Sequence, residues 1–297
     1  MTHRLLRGCG TALVTPFNAD GSVDEASLVE LIDWQIDEGI DFLVPCGSTG
    51  EAATLSIEEH LRIVEITVER ADGRVPVVAG SGSNDTEKCI ALSRAVAERG
   101  ATHLLMVSPM YNKPPQRGIV LHFRAVADAV DLPLLLYNVP GRTASNMTAS
   151  TTLELAADPR MIGIKEASAD LDQISEILRH RPHGFSVLSG DDAVTLPLMA
   201  MGADGVVSVV SNAVPRQMTE LVRSMDQGDV ERAREIQEAL IDLMGVAFVE
   251  SNPIPVKAAL AELGRITDRV RLPLVPLADH HRDAVRAALE RASGGTP

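Results

Sequence analysis

The chain has 297 residues and a mass of 31.7 kDa, with 45% hydrophobic and 23% charged residues. These values are ordinary for a globular protein and allow either two domains or one large α/β domain. A net charge of −14 argues against nucleic acid as a partner, because phosphate binding requires a basic face. No apolar run approaches the roughly 18 to 20 residues that span a bilayer, so we expect no membrane partner either.

The cysteines and the N-terminal segment indicate the cellular compartment. Cys9, Cys46 and Cys89 are odd in number and form no CxxC pair, which is typical of reduced thiols. The segment MTHRLLRGCGTALVTPF lacks an apolar core long enough for a signal peptide. We therefore expect a cytoplasmic protein.

Short runs rich in Val, Ile and Leu recur along the chain, and each is followed by a polar turn and an amphipathic stretch. The predicted strands are 8–17, 42–47, 75–80, 103–109, 133–140, 161–167, 185–191 and 205–212. The predicted helices between them are 27–38, 57–70, 85–99, 116–130, 148–157, 171–180, 192–201 and 216–227. Ser56 and Asn84 each stand three residues before a glutamate, a pattern that predicts the start of a helix.

Eight strand-helix units predict an α/β fold, a (β/α)8 TIM barrel, because consecutive parallel strands need right-handed helical crossovers. An open doubly wound sheet is the alternative, but Gly80-Ser81-Gly82 lacks the third glycine of a dinucleotide-binding fingerprint. After residue 212 the chain continues as helix only, at 230–249, 255–262 and 279–291. We predict a barrel over 1–228 and, over 229–297, a C-terminal helical extension packed on it.

Lys165 ends the apolar run 161–167 and is the first candidate for chemistry. The chain has four lysines against twenty-three arginines, so a lysine within a strand indicates a need for a group that can lose its proton. A desolvated amine can form a Schiff base with a carbonyl substrate. In one alternative, the methylene chain of Lys165 packs on apolar neighbours while its ammonium group reaches solvent. In the other, the ammonium group forms an ion pair with a carboxylate. Glu166 is not the expected partner, because adjacent strand residues point to opposite faces. Gly163, on the same strand face, is expected to leave space beside the amine.

Chemistry in such barrels lies where the strands end and the βα loops begin. Those ends hold both tyrosines of the chain, together with Thr15, the loop 47–51, Arg142, Lys165, the loop 189–191 and Ser208. Gly47-Ser48-Thr49-Gly50-Glu51 could bind a small carboxylate or could simply cap the next helix. The loops after the seventh and eighth strands carry Asp191 and Asp192 instead of phosphate donors, so we expect an unphosphorylated substrate.

Metal-dependent chemistry is disfavoured. A metal site would need His, Asp or Glu ligands that face one another. None of the eight histidines lies at the carboxyl end of a predicted strand.

Six motifs in one order resemble the pyruvate-dependent class I aldolase and N-acetylneuraminate lyase family, and within it the dihydrodipicolinate synthase branch. They are Gly10-Thr-Ala-Leu-Val-Thr-Pro-Phe, Gly47-Ser-Thr-Gly-Glu, Tyr137-Asn-Val-Pro-Gly-Arg-Thr, Gly163-Ile-Lys-Glu-Ala, Ser189-Gly-Asp-Asp and Asn252-Pro-Ile-Pro-Val-Lys. The resemblance runs almost end to end. It implies condensation of pyruvate with L-aspartate 4-semialdehyde on the path to lysine and diaminopimelate. No cofactor is implied, since a lysine imine is the electron sink, and the implied assembly is a homotetramer built as a dimer of dimers.

The resemblance also implies catalytic roles. Lys165 is similar to the lysine that forms the imine, and Tyr137 to the phenol that donates and accepts protons. Ser48 and Tyr111 match a proton relay through Tyr137, with Tyr111 reaching in from a neighbouring subunit.

Further positions match substrate contacts. Thr49 and the backbone at Val207 match contacts to pyruvate, and Gly190 belongs to the motif beside them. Arg142 matches the residue that binds the carboxylate of aspartate semialdehyde, consistent with guanidinium recognition of carboxylates.

Two departures from the family pattern affect these expectations. Ser48 replaces the threonine common in the synthases and also occurs in the sialate lyase branch, whereas Arg142 favours the synthases. Met110 stands where lysine-inhibited members usually have an aromatic residue, and Lys88 where they have an acid. A cation there would repel incoming lysine, although His60 and Asn84 remain. We expect weak inhibition by free lysine or none.

Two other readings stay open at this point. One is a sibling lyase with the same pyruvate imine and a different aldehyde, such as an N-acetylneuraminate or keto-deoxy sugar acid lyase. The other is a non-catalytic keto-acid sensor. The complete set of Lys165, Tyr137, Tyr111, Ser48 and Arg142 argues against the sensor.

Overall fold

The computed structural model describes residues 5–293. Residues 1–4 of the N-terminal segment and the last four residues of the predicted extension lie outside the described residues. The eight strands are β1 Gly8–Ala12, β2 Phe42–Val44, β3 Val78–Gly80, β4 His103–Val107, β5 Leu134–Asn138, β6 Met161–Glu166, β7 Ser186–Ser189 and β8 Gly205–Ser208. The helices are α1 Glu25–Asp37, α2 Ile57–Ala71, α3 Thr86–Glu98, α4 Gln116–Ala129, α5 Pro140–Thr143, α6 Ala149–Ala156, α7 Leu171–His180, α8 Thr195–Ala200, α9 Pro215–Asp226, α10 Val230–Val246, α11 Ile254–Glu262 and α12 Asp279–Ala292.

The strands form one parallel sheet in the order β2-β1-β8-β7-β6-β5-β4-β3. A parallel bridge between Leu43 and Val77 joins its two ends and closes the barrel. The predicted (β/α)8 barrel is therefore confirmed, and the open doubly wound sheet is excluded. All eight carboxyl ends of the strands consequently meet at one rim.

Seven of the eight predicted strands run past the observed ones at their carboxyl ends, and only the predicted strand 75–80 ends where β3 does. The run 42–47 is a strand only as far as Val44. Cys46 then adopts a φ of +56°, a conformation in which a strand cannot continue. The run 205–212 leaves the sheet after Ser208 and turns into a short 3₁₀ segment at Val210–Asn212. Apolar composition continues into these loops because the loops themselves are buried.

The predicted helix starts are partly right. Ser56 and Glu59 form a reciprocal capping box at the start of α2. The predicted cap at Asn84 is wrong by one residue, since the carboxylate of Asp85 accepts the bond from the Lys88 amide. The predicted helix 192–201 is interrupted as well, because a 3₁₀ turn at Asp192–Val194 precedes α8.

Two apolar layers hold the barrel together. The larger lies between the strands and the helices. The smaller, which we call the barrel-interior cluster, consists of Leu6, Ala12, Phe42, Val44, Val78, Leu105, Leu135, Tyr137, Val139, Ile162, Leu188 and Val207. These side chains fill the inside of the barrel, so open space for a ligand is left near the rim.

The space expected beside Gly163 does not exist. A Cβ on this residue would lie 2.5 Å from the carbonyl oxygen of Ser186, so the glycine permits close approach of β6 and β7. A register shift at Leu134/Leu135 also turns Met161 into the outer layer. A bulge of this kind cannot be predicted from the alternation of inward and outward side chains in a strand of six residues.

The C-terminal helices pack on the barrel units. Helix α10 packs against α9, and α12 packs against both α10 and α11. Residues 254–260 of α11 are all buried. The boundary at 228/229 stays a prediction. Within residues 5–293, no helix combines the length and apolarity needed to cross a membrane.

Candidate active site

A cavity of about 170 Å³ lies at the carboxyl ends of the strands. Six of the predicted site residues line it: Ser48, Thr49, Tyr137, Arg142, Lys165 and Gly190. The other lining residues are Ala12, Val44, Gly47, Leu105, Val139, Ala167, Asp191, Val209, Phe248 and Asn252. The fold thus brings together residues that lie up to 240 positions apart in the sequence, from Ala12 to Asn252.

Lys165 ends β6 inside this cavity and is only 5% exposed. Burial lowers the pKa of its ammonium group to about 8. The negative charge of Asp192 opposes this by raising the pKa, and the positive charge of Arg142 lowers it by a smaller amount. At pH 7 about one amine in ten is then neutral, compared with about one in 2,500 at an ordinary pKa near 10.4. The amine is therefore available as a nucleophile at neutral pH.

Glu166 does not neutralise Lys165, in agreement with the alternation of strand faces. Its carboxylate points away from the cavity and accepts bonds from the Asn138 side chain, the Ser168 amide and the Gln173 side chain. Burial raises the pKa of this carboxyl group. Glu166 is thus fixed between β5, β6 and α7, outside the barrel.

Tyr137, at the corresponding level of β5, stands directly beside the amine. The Lys165 Nζ lies 4.3 Å from the centre of the phenol ring. Burial raises the pKa of Tyr137 to about 12, with Arg142 lowering it and Glu166 raising it. The phenol is therefore protonated at neutral pH and can donate a proton before it accepts one.

Gly190 is a glycine because the lysine stem lies against it. A Cβ at this position would be 2.8 Å from the Ala167 Cβ and 3.1 Å from the Cε and Cγ of Lys165. Any side chain would push the lysine out of position. Gly190 thus forms a flat wall of the cavity.

The loop 47–51 is held from several sides. The Thr15 hydroxyl donates to the Gly50 carbonyl at 2.7 Å, and the Asn252 side-chain amide donates to the Thr49 hydroxyl at 2.8 Å. Glu51 is buried and forms an ion pair with Lys257. The backbone amides of Gly50 and Glu51 donate to carbonyls within the loop. These two amides therefore stabilise the turn and are not free to bind an anion.

Arg142 lies on the short helix α5 and is exposed at the mouth of the cavity. Its Nη2 donates to the backbone carbonyl of Asn252 at 3.3 Å. Lys165 and Arg142 thus place two cationic side chains on one small cavity, against one carboxylate side chain in its lining, that of Asp191. The local charge favours ligands with carboxylates.

Two predicted site residues lie outside this cavity. Tyr111 is 87% exposed, and its backbone adopts a φ of +71°. Val207 lies deeper, in the barrel-interior cluster, and the cavity wall on this side is Val209, just beyond β8. The roles expected of both residues stay predictions.

Phe248 and Asn252 also line the cavity, and neither was predicted as a site residue. Both belong to the segment between α10 and α11. Because this segment follows a helix, the rule that places site residues at the ends of strands could not identify them. The only feature of the sequence that pointed to Asn252 was the family motif that begins there, and that motif implied no role for it.

A second cavity of about 460 Å³ adjoins the first and shares Ser48, Tyr137, Arg142 and Asn252 with it. Its remaining lining is largely apolar and includes Met110. The site is therefore open on the side of the exposed Ser48 hydroxyl.

Among residues 5–293 no three His, Cys, Asp or Glu side chains are grouped so that they could hold a metal ion.

Comparison with known proteins agrees with the geometry. The profile of the dihydrodipicolinate synthetase family matches residues 5–292. The 4-hydroxy-tetrahydrodipicolinate synthase of Koribacter versatilis is 52% identical over 287 residues, which cover 96% of this chain and 94% of that one. The crystal structure of dihydrodipicolinate synthase from Aquifex aeolicus superposes with a TM-score of 0.94 at 44% identity, covering 97% of this chain and 98% of that one. A structure described as the first monomeric dihydrodipicolinate synthase variant has a TM-score of 0.95 at 41% identity, with 97% of each chain covered. The chain belongs to the dihydrodipicolinate synthetase family.

Proposed function

We propose that this protein is a lyase of the class I aldolase type that condenses pyruvate with L-aspartate 4-semialdehyde, giving 4-hydroxy-tetrahydrodipicolinate for lysine and diaminopimelate biosynthesis. Relatives near 50% identity over nearly the whole chain carry the synthase name. The observation that carries the proposal is the buried Lys165 amine, with its lowered pKa, beside the Tyr137 phenol in a small cavity.

In the first half of the proposed reaction, the neutral Lys165 amine attacks the keto carbon of pyruvate. Tyr137 donates a proton to the developing alkoxide, and loss of water from the carbinolamine gives the imine. Removal of a proton from the pyruvate methyl group converts the imine to an enamine. The cationic nitrogen is the electron sink for this step, so the chemistry needs no cofactor.

In the second half, the enamine carbon attacks the aldehyde carbon of the second substrate, and the aldehyde oxygen takes up a proton. The amino group of that substrate then attacks the imine carbon, which closes the ring and releases Lys165 as an amine. One water molecule leaves over the whole cycle. Arg142, at the cavity mouth, would bind the carboxylate of the aldehyde.

Protons must pass between the phenol and solvent, and Ser48 and Tyr111 are proposed to carry them. Ser48 and Tyr137 both line the second cavity. The exposed Tyr111 of a neighbouring subunit would enter that cavity and complete the relay. Thr49, Gly190 and the backbone at Val207 are proposed to contact pyruvate.

Reductive trapping tests the central step. Borohydride added with pyruvate should increase the mass of the peptide containing Lys165, and Lys165→Ala should remove the adduct. Consumption of L-aspartate 4-semialdehyde, measured against a keto-deoxy sugar acid and N-acetylneuraminate, separates the synthase from its sibling lyases. Turnover without a trapped Lys165 peptide would contradict the proposal.

We also propose a homotetramer, a dimer of dimers, in the cytoplasm. The description of one neighbour as the first monomeric variant indicates that assembly is usual among these enzymes. All three cysteines are free and buried, as expected in a reducing compartment. Sedimentation analysis and cell fractionation test the two statements separately.

A further inference from the structure

Lys165 and Lys257 are the two buried lysines of the chain, and Lys257 lines neither of the two cavities. Its ammonium group, on α11, donates to the Glu51 carboxylate at 2.7 Å and to the Thr15 backbone carbonyl at 2.8 Å. A buried ion pair is often no more stabilising than apolar side chains of similar volume. Stability of the fold is therefore a weak reason for a lysine here, and the groups that it holds indicate another role.

Glu51 ends the loop 47–51 in a backbone conformation that is unfavourable for a residue with a Cβ. Its φ is +54°, in the left-handed region. Such a conformation persists only where the surroundings fix it. Here both carboxylate oxygens are held, Oε1 by Lys257 and Oε2 by the backbone amide of Arg271 at 3.0 Å. The side-chain contacts of Glu51 therefore hold the end of the loop in place.

Thr15 holds the same loop from another side. Its hydroxyl donates to the Gly50 carbonyl at 2.7 Å, and its own carbonyl accepts from Lys257. Lys257 thus joins this anchor and the carboxylate anchor at a single nitrogen. Ser48 and Thr49, which precede the anchored positions, line the cavity that contains the reactive lysine. A shift of the anchors would move both hydroxyl groups relative to that cavity.

We propose that Lys257 is a positioning residue for imine formation. Through Glu51 and Thr15 it fixes the loop 47–51, and it thereby places the two hydroxyl groups of that loop at the cavity. Lys257 itself touches no substrate, since it lies outside the cavity lining. A displacement of about 1 Å at a reacting centre can lower a rate about 100-fold, so the effect of this remote residue is measurable.

The inference rests on the proposed function, in which Thr49 contacts pyruvate and Ser48 carries protons between Tyr137 and solvent. Both roles belong to the first half of the reaction. The proposed site for the carboxylate of the aldehyde is Arg142, which lies on α5 and not on this loop. Loss of Lys257 should therefore slow imine formation more than it weakens binding of the aldehyde.

Borohydride trapping on the full-length enzyme, at pyruvate concentrations well below saturation, measures the rate of imine formation. The wild type is measured first. Wild-type enzyme that traps no pyruvate on Lys165 refutes the proposed function and this inference with it. Where the wild type traps pyruvate, the variants test the inference alone.

The variant Lys257→Met/Glu51→Gln separates position from stability. It contains no unpaired buried charge, so its Tm should lie nearer to that of the wild type than the Tm of Lys257→Met does. It has no ammonium group to hold the loop to the Thr15 carbonyl. We expect its rate of imine formation to fall about 10- to 100-fold, as in the single variant, with KM for the aldehyde within about threefold. A rate that recovers to within about threefold of the wild type together with the Tm would overturn the inference.

Glu51→Asp tests the same point without removing a charge. The shorter side chain keeps the ion pair but changes the distance between the carboxylate and the backbone, so imine formation should slow about 10-fold. This variant also decides the question if the double variant does not fold. A rate within about threefold of the wild type would show that only the charges of the pair matter, and the inference would then be wrong.

Arg181→Met is a matched control for lost stability. Arg181 pairs with Asp204 and donates to the Phe185 carbonyl at 3.0 Å, at the amino ends of β7 and β8. These ends lie on the face of the barrel opposite the carboxyl-end rim. The variant should have a lower Tm and a rate of imine formation within about threefold of the wild type. A loss of rate as large as that of the double variant would show that destabilisation alone is sufficient, which contradicts the inference.

The pH dependence separates an effect on the loop from an effect on the charge of Lys165. Burial and Arg142 lower the pKa of Lys165 and Asp192 raises it, with a result of about 8. The midpoint of the pH profile of imine formation should therefore stay at about 8 in the double variant. A shift of more than about one pH unit would show that the ion pair acts on the charge of the nucleophile, and would refute a role in positioning.

Discussion

The buried ion pair between Lys257 and Glu51 allows a quantitative prediction about stability. The two side chains are 0% and 1% exposed, and Nζ lies 2.7 Å from Oε1. Nζ also donates to the Thr15 carbonyl at 2.8 Å and lies 4.3 Å from the centre of the Phe17 ring. The other oxygen of Glu51 accepts from the Arg271 amide at 3.0 Å. The pair therefore connects the loop 47–51 to the C-terminal helices.

Replacing Lys257 by Met keeps most of the volume and leaves the Glu51 carboxylate buried without its cation. Removing one partner of a buried pair costs about 3–5 kcal/mol, because the remaining charge is uncompensated. An unfolding entropy of about 2.1 cal/mol/K per residue amounts to roughly 0.6 kcal/mol/K for a chain of this length. We therefore expect the Tm of Lys257→Met to fall by about 5 to 8 °C.

Calorimetric unfolding at a fixed protein concentration measures this difference. The double variant Lys257→Met/Glu51→Gln has no unpaired charge and should recover more than half of the loss. Lys88→Met is a matched control, because it removes an exposed ammonium and should change the Tm by less than about 1 °C. A Lys257→Met variant within about 2 °C of the wild type, or a double variant no more stable than the single one, would refute the reasoning.

Four predictions concern activity. The rate of imine formation with pyruvate, followed by rapid trapping, should rise with pH and level off above about 8, because the neutral Lys165 amine is the proposed nucleophile and its folded pKa is about 8. A rate that falls as pH rises would contradict this. Tyr137→Phe should lower kcat about 100-fold or more, the scale of acid-base groups, while pyruvate binding by calorimetry persists. Arg142→Ala should raise KM for the aldehyde, and a rise confined to pyruvate would show that the residue is misassigned. Free lysine should inhibit weakly or not at all, since Lys88 is cationic and Met110 replaces an aromatic residue, and half-inhibition at sub-millimolar lysine would contradict this.

The positions of Lys165 and Tyr137 could be predicted because they depend on local patterns. An apolar run marks a strand, and the carboxyl ends of parallel strands meet at one rim whatever their order in the sequence. Thr49, Arg142 and Gly190 follow from the same rule together with the family motifs. The register shift near Gly163 could not be predicted, because it results from the packing of β5 against β6.

The sequence by itself determined the eight strand-helix units and the family, and it predicted a lysine nucleophile, since periodicity and side-chain chemistry are properties of short segments. Only the tertiary structure showed that Asn252 contacts Thr49 and that Lys257 neutralises Glu51, across 203 and 206 residues of chain. Contacts of such separation depend on how the C-terminal helices pack on the barrel, and this packing is set by many weak apolar contacts at once. No short pattern encodes it.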